Sequence, residues 1–145
     1  MVSPRISPIA VVVAAIAAFM IGFLWYSPAL FGGLWMQAHG YTPEHMEAMK
    51  STLGRTYGIS FVCQLVIGAV LSQLLYQTST VGAAGGAGLG FLAWLGFAAT
   101  IGLTSNLFSE APLTLYAVDA GYQLVYLVVM GAILGAWRAR AVKAA

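Results

Sequence analysis

Four long apolar stretches alternate with short polar segments along the chain. They lie at residues 8–26, 57–76, 82–108 and 115–137. An α-helix rises about 1.5 Å per residue, so about 20 residues cross a bilayer core that is about 30 Å thick. The pattern therefore predicts an all-α membrane protein, a bundle of four transmembrane helices. Since no linker separates a second domain, we interpret residues 1–145 as a single four-span domain.

The segment between the first two spans contains several turn and cap signals. Ser27-Pro28 is expected to kink or end the first span, because the residue before proline disfavours the helical conformation. Residues 31–36 mix glycine with aromatic residues and are predicted to form a turn at the membrane interface. Thr42-Pro43-Glu44 has the composition of a helix start. A short amphipathic helix should follow, which rests on the membrane or extends the second span outwards.

Composition supports the membrane assignment and narrows the range of partners. Hydrophobic residues make up 61% of the chain and charged residues 7%, whereas soluble domains carry about 25% charged residues. The lipid bilayer is therefore the expected partner. The net charge of +2 comes from scattered basic residues, which argues against nucleic-acid binding. The lone Cys63 cannot form an intrachain disulfide, and two histidines with one cysteine predict neither a metal site nor a cofactor.

Glycine spacing predicts close helix crossings. Gly82, Gly86 and Gly90 form two overlapping GxxxG units in the third span, and Gly131 and Gly135 form another in the fourth. In the first span, Gly22 completes a stripe of small residues with two alanines. We expect a homo-oligomer, most simply a dimer, with at least one of the two GxxxG stripes at the subunit boundary. The alternative is that both stripes pack within the monomer.

Basic residues near the span ends predict the orientation. Four spans place both termini on one side of the membrane, and that side carries Arg5, Arg138, Arg140 and Lys143. The other side carries Lys50 and Arg55. Because cytoplasmic loops are enriched in lysine and arginine, this asymmetry favours cytoplasmic termini.

Polar side chains collect in the non-cytoplasmic half of the predicted bundle, and Asp119 is the one acid inside an apolar stretch. Ionisable residues within a membrane suggest a functional site. The candidate residues of a ligand pocket are Asp119, Gln123, Tyr122, Gln64, Asn106, Arg55, Tyr26 and Trp25.

Asp119 is expected to point into the bundle and to have a partner, because an unpaired acid that faces lipid costs a few kcal/mol. Arg55 is the first choice, since it alone supplies a full positive charge at that depth. Tyr26 and Asn106 are the neutral alternatives.

Several motifs resemble the family catalogued as domain of unknown function 1761. They are the segments 22–28, 42–44, 60–61, 121–125 and 131–137, together with Phe31 and Trp35. The resemblance covers nearly the whole chain. It implies a small four-span protein of bacterial type with no assigned activity, and hence a bacterial inner (plasma) membrane. The family often reads Asn-Ala-Gly-Tyr-His where this chain has residues 119–123, which implies that neither a charge at Asp119 nor an imidazole at position 123 is essential.

Two classes of function fit these observations. One is an oligomeric binder of, or conduit for, a small polar solute or ion that uses the polar pocket. The other is a structural or assembly protein whose polar residues only hold its helices together. We do not expect an enzyme, because no nucleophile–base pair, metal cluster or paired carboxylates can be named from the spacing.

Overall fold

Five helices make up the protein in a computed structural model that describes residues 6–144. They are α1 (Pro8–Trp25), α2 (Gly32–His39), α3 (Pro43–Gln77), α4 (Ala83–Phe108) and α5 (Leu113–Ala144). All but α2 are long and apolar enough to cross a membrane. The predicted fold class, an all-α bundle with four candidate spans, is confirmed. The short interfacial helix predicted to start at Thr42 is not a separate element, and the short helix of this connection is α2. Arg5, which contributed to the predicted orientation, lies outside the described residues.

Helix α3 begins where the cap signal predicted but does not stop before the second span. The Thr42 hydroxyl accepts a hydrogen bond from the backbone N–H of His45 at 3.2 Å, and Pro43 occupies the first turn. The amphipathic segment is thus the start of one 35-residue helix. At 1.5 Å per residue α3 is about 50 Å long, so it exceeds the bilayer core. Of the two predicted arrangements, extension of the span is the correct one.

Helix α2 forms where the sequence predicted a turn. A Cβ atom on Gly32 would overlap the carbonyl oxygen of Tyr26, so glycine permits the chain to fold back closely after α1. The N–H of Gly32 donates to the carbonyl of Ser27 at 3.0 Å. Gly40, with φ of 69°, then ends α2 in the left-handed conformation that glycine adopts readily. These two glycines place α2 beside the end of α1.

Helices α4 and α5 pack backbone to backbone through the two glycine stripes. A Cβ atom on Gly86 would overlap the carbonyl oxygen of Gly131, and one on Gly90 would overlap that of Leu127. The N–H of Gly82 also donates across the crossing to the carbonyl of Gly135 at 2.9 Å. Both stripes therefore pack against each other within one chain rather than at a subunit boundary. The homo-oligomer itself stays a prediction.

Helices α1, α3 and α5 enclose the apolar core. Its most buried large side chains, Leu71, Leu75 and Met130, are at most 2% exposed and lie toward the end of the bundle where α1 begins and α5 ends. Small residues on α1, including Ala14 and Ala18, bring these helices close together. The one buried polar side chain among the described residues, that of Gln64, lies toward the opposite end, where α1 ends and α5 begins. We call this the Asp119 end.

Helix α4 contains a π-helical segment, Trp94–Ala99, that the sequence pattern does not reveal. A π-helical turn interrupts the regular pattern of backbone hydrogen bonds and so leaves carbonyls free to accept others. The Tyr116 hydroxyl of α5 donates to the carbonyl of Ala99 at 3.0 Å, and the Thr100 hydroxyl donates to that of Gly96 at 2.9 Å. The segment is thus held by side chains from both helices.

Candidate functional site at Asp119

Asp119 lies in the second turn of α5 and connects three parts of the chain. Its Oδ1 accepts a hydrogen bond from the Tyr26 hydroxyl at 2.6 Å and a second from the Trp35 indole N–H at 3.1 Å. Tyr26 directly follows α1, and Trp35 lies on α2. The half-buried carboxyl group therefore fixes α2 and the end of α1 against α5.

Tyr26, a predicted neutral partner of Asp119, is confirmed by this contact, whereas the first choice, Arg55, is wrong. Arg55 is exposed and forms no ion pair with Asp119. It precedes the buried Gln64 by nine residues, which is about two and a half turns at 3.6 residues per turn. The two side chains therefore lie on opposite sides of α3, and only that of Gln64 faces the bundle.

The second partner, Trp35, was missed because residues 31–36 were predicted to be a turn. A signal was present in the sequence, since Phe31 and Trp35 have the i, i+4 spacing of one helix face. In the structure Phe31 packs against Trp25, with ring centroids 4.6 Å apart, while Trp35 reaches Asp119.

The second carboxyl oxygen of Asp119 has no hydrogen-bond partner among residues 6–144. Both recorded donors bind Oδ1, and no lysine or arginine in the described part of the chain pairs with this acid. An acid in the low dielectric of a membrane is costly without a countercharge. The site therefore has one available acceptor, Oδ2, which is not among the buried unpaired atoms of residues 6–144 and can accept from a partner outside the chain.

Aromatic rings surround the carboxyl group. The ring of Tyr26 lies 5.6 Å from that of Trp35 and 5.4 Å from that of Tyr122, and both contacts are edge to face. Beyond Trp35, the His39 ring follows at 4.3 Å. The indole N–H of Trp25 donates to the carbonyl of Val118 at 3.0 Å, next to the acid in sequence. The Asp119 carboxyl group therefore lies among aromatic side chains.

A second, deeper polar group contains Tyr122 and Gln64. The Tyr122 hydroxyl donates to the carbonyl of Ala18 at 3.1 Å and accepts a long hydrogen bond from Gln64 Nε2 at 3.4 Å. Gly22 makes room for Tyr122, since a Cβ atom there would lie 2.8 Å from the hydroxyl oxygen. Gln64 is only 7% exposed, and its Oε1 has no partner. This group therefore keeps one unpaired acceptor within the helix interface.

The remaining candidates do not join this cluster. The side-chain amide of Asn106 donates to the carbonyl of Pro112 at 3.3 Å, where it stabilises the connection between α4 and α5. Gln123 is half-buried and makes no recorded hydrogen bond with the described residues. Thr100, Thr104 and Ser105 line a separate open groove on α4. The structure thus brings together Trp25, Tyr26, Tyr122, Gln64 and Asp119. Among the described residues, Arg55, Asn106 and Gln123 form no hydrogen bond or ion pair with the carboxyl group.

Comparison with known proteins places the chain in a family. Neither a search of curated proteins nor a search of solved structures found a match. Residues 9–135 match the model of one family, described as "Protein of unknown function (DUF1761)". That match covers well over half of the chain and includes Asp119 with all of its neighbours in the site. The protein belongs to the DUF1761 family.

Proposed function

We propose that the protein binds a small cationic solute in the membrane through Asp119. The observation that carries the proposal is the half-buried carboxyl group of Asp119. Its Oδ1 accepts both intramolecular hydrogen bonds, and its Oδ2 has no partner within residues 6–144. A bound cation would supply the missing countercharge and would occupy the free oxygen. Tyr26 and Trp35 would hold the carboxylate in position.

Binding fits this conformation better than passage through the bundle. A conduit requires polar or water-accessible groups that continue from Asp119 to the opposite end of the helices. Toward that end, Leu71, Leu75 and Met130 fill the space between α1, α3 and α5. We therefore propose a site that is reached from the Asp119 end and is closed by the apolar core.

The alternative is a structural protein without a ligand, and one set of contacts favours it. Several aromatic side chains donate hydrogen bonds to backbone carbonyls of neighbouring helices, which locks helices together. These are Trp25 to Val118, Trp94 to Ala120, Tyr116 to Ala99 and Tyr122 to Ala18. In that case Asp119 would add a fifth contact of the same kind, and its charge would have no separate role.

Measuring stability in a series of salts distinguishes cation binding from the purely structural role. The purified protein in lipid nanodiscs is titrated with chloride salts of ammonium-type and metal cations at constant ionic strength, and melting temperature is followed. We expect at least one cation to raise the melting temperature saturably. At 100 times its Kd, a bound cation stabilises the folded protein by about 2.7 kcal/mol. The Asp119→Asn variant should lose this stabilisation. The Glu110→Gln variant, which changes an exposed acid outside the site, should keep it. If no cation produces an effect that depends on Asp119, the structural alternative is favoured.

We also propose that both termini face the cytoplasm, in the inner membrane of a bacterium. The support is the distribution of basic residues, since Arg138, Arg140 and Lys143 occupy the last turns of α5. Single cysteines introduced as Ser51→Cys and Ala144→Cys, each with Cys63→Ala, can be treated with an impermeant thiol reagent on intact cells. We expect labelling at position 51 alone. Labelling at 144 alone would reverse the orientation.

A further inference from the structure

We infer that the cation at Asp119 is an organic ammonium with an apolar body and at least one N–H. This inference rests on the proposed function, because it specifies the ligand of the same site. Three features lead to it: the shortage of oxygen ligands, the aromatic rings next to the acid, and the single free acceptor.

The oxygen atoms around Asp119 do not suit a metal ion. Calcium takes six to eight oxygen ligands and magnesium takes six in near-octahedral geometry. No group of three or more histidine, cysteine or acidic side chains comes together anywhere in residues 6–144. The carbonyls of Val118 and Ala120, which flank the acid in sequence, already accept hydrogen bonds from the indole groups of Trp25 and Trp94. Among the histidine, cysteine and acidic side chains of residues 6–144, only Asp119 is therefore placed to bind a metal in this site.

Aromatic rings replace the missing oxygens and suit an organic cation. The rings of Tyr26, Trp35 and Tyr122 form a continuous series beside the carboxyl group, with centroids 5.4 to 5.6 Å apart. Aromatic faces attract ammonium groups and also pack against alkyl chains. An ammonium carrying a short alkyl chain can use both properties, whereas a hydrated metal ion can use neither without losing its water.

The free Oδ2 determines what kind of ammonium fits. Oδ1 already accepts hydrogen bonds from Tyr26 and Trp35, so the ligand must approach Oδ2. A carboxylate oxygen binds most strongly to a charged N–H donor. Primary, secondary and tertiary ammonium ions have such a donor, and a quaternary ammonium has none. The geometry thus favours a protonated amine over a choline-like group.

The test compares butylammonium, tetramethylammonium, sodium, potassium and calcium chlorides in nanodiscs of fixed lipid composition. Binding is read from tryptophan fluorescence, because Trp25 and Trp35 lie in the site, and from melting temperature. We expect butylammonium to bind at least tenfold more tightly than tetramethylammonium, and the metal ions to give no saturable response. Asp119→Asn should weaken butylammonium binding at least tenfold, Tyr122→Leu should weaken it several-fold, and Glu110→Gln should leave it unchanged.

The outcomes distinguish the two levels of the proposal. A saturable response to sodium, potassium or calcium that needs Asp119 would overturn the organic ammonium while leaving a cation site. Equal affinity for tetramethylammonium would overturn the requirement for an N–H donor. If no cation gave a response that depended on Asp119, the proposed function and this inference would both be rejected. Unchanged melting of unliganded Asp119→Asn would show that any loss of binding is not a loss of fold.

Discussion

Gly86→Ala is expected to lower the free energy of unfolding by about 3 kcal/mol, the upper end of the range for overpacked cores. The reason is the contact between α4 and α5, where a Cβ atom on Gly86 would overlap the backbone carbonyl of Gly131. A backbone atom cannot move aside as a flexible side chain can, so the two helices must separate. Unfolding in mixed detergent micelles, followed by circular dichroism, gives the free energy.

Gly88→Ala is the matched control, because it adds the same methyl group to the same helix. Gly88 is exposed, and nothing lies within 4 Å of a Cβ atom at that position. Alanine favours a helix over glycine by up to about 1 kcal/mol, so this variant should be neutral or slightly stabilised. Similar losses for both variants would show that α4 and α5 do not cross at Gly86.

Much of this fold can be predicted from the sequence, because length and apolar composition alone identify helices that cross a bilayer. The cap at Thr42 and the close-packing glycines also follow from local chemistry. The partner of each glycine stripe does not, since GxxxG spacing fits a crossing within a chain as well as one between chains. Gly86 finds Gly131 in the same chain only because α4 and α5 are adjacent antiparallel helices.

Helix α2 shows why local signals fail in the first connection. Gly32-Gly33 weakens any helix on propensity alone, by up to about 1 kcal/mol for each glycine. Tertiary contacts override that preference: Gly32 fits against the backbone after α1, and Trp35 binds Asp119. A prediction based on local sequence cannot include the contact with residue 119. The π-helical segment of α4 escapes prediction for the same reason, since Tyr116 of the next helix contributes to it.

The site could be predicted in part. An acid inside an apolar stretch identifies Asp119, and its depth identifies Tyr26. Charge alone favours Arg55 as the partner, but the rotation of α3 about its axis decides which of its residues face the bundle. Buried residues of α3 recur at Gln64, Gly68, Leu71 and Leu75, and extending this spacing backwards excludes position 55. Helical phase was therefore a better guide than charge complementarity.

Asp119→Leu should have a large effect on stability, and Asp119→Asn a small one. Leucine removes the acceptor for both the Tyr26 hydroxyl and the Trp35 indole N–H. An unsatisfied buried donor costs about 1–3 kcal/mol, and because this site is only half-buried we expect a total loss of about 2–3 kcal/mol. Asparagine retains a carbonyl oxygen that can accept both hydrogen bonds, so its loss should stay below about 1 kcal/mol, the part that the charge contributed.

Arg55→Gln completes the comparison, since it removes the only charge that was expected to pair with Asp119. Arg55 is exposed, and a surface change of this kind usually alters stability by no more than about 0.5 kcal/mol. Free energies of unfolding for Asp119→Asn, Arg55→Gln and the double variant should therefore be additive. A coupling well above about 0.5 kcal/mol, or an asparagine variant as unstable as the leucine variant, would mean that Asp119 requires a charged partner within the chain. In that case its carboxylate would already be balanced, and the case for an external cation would lose its main support.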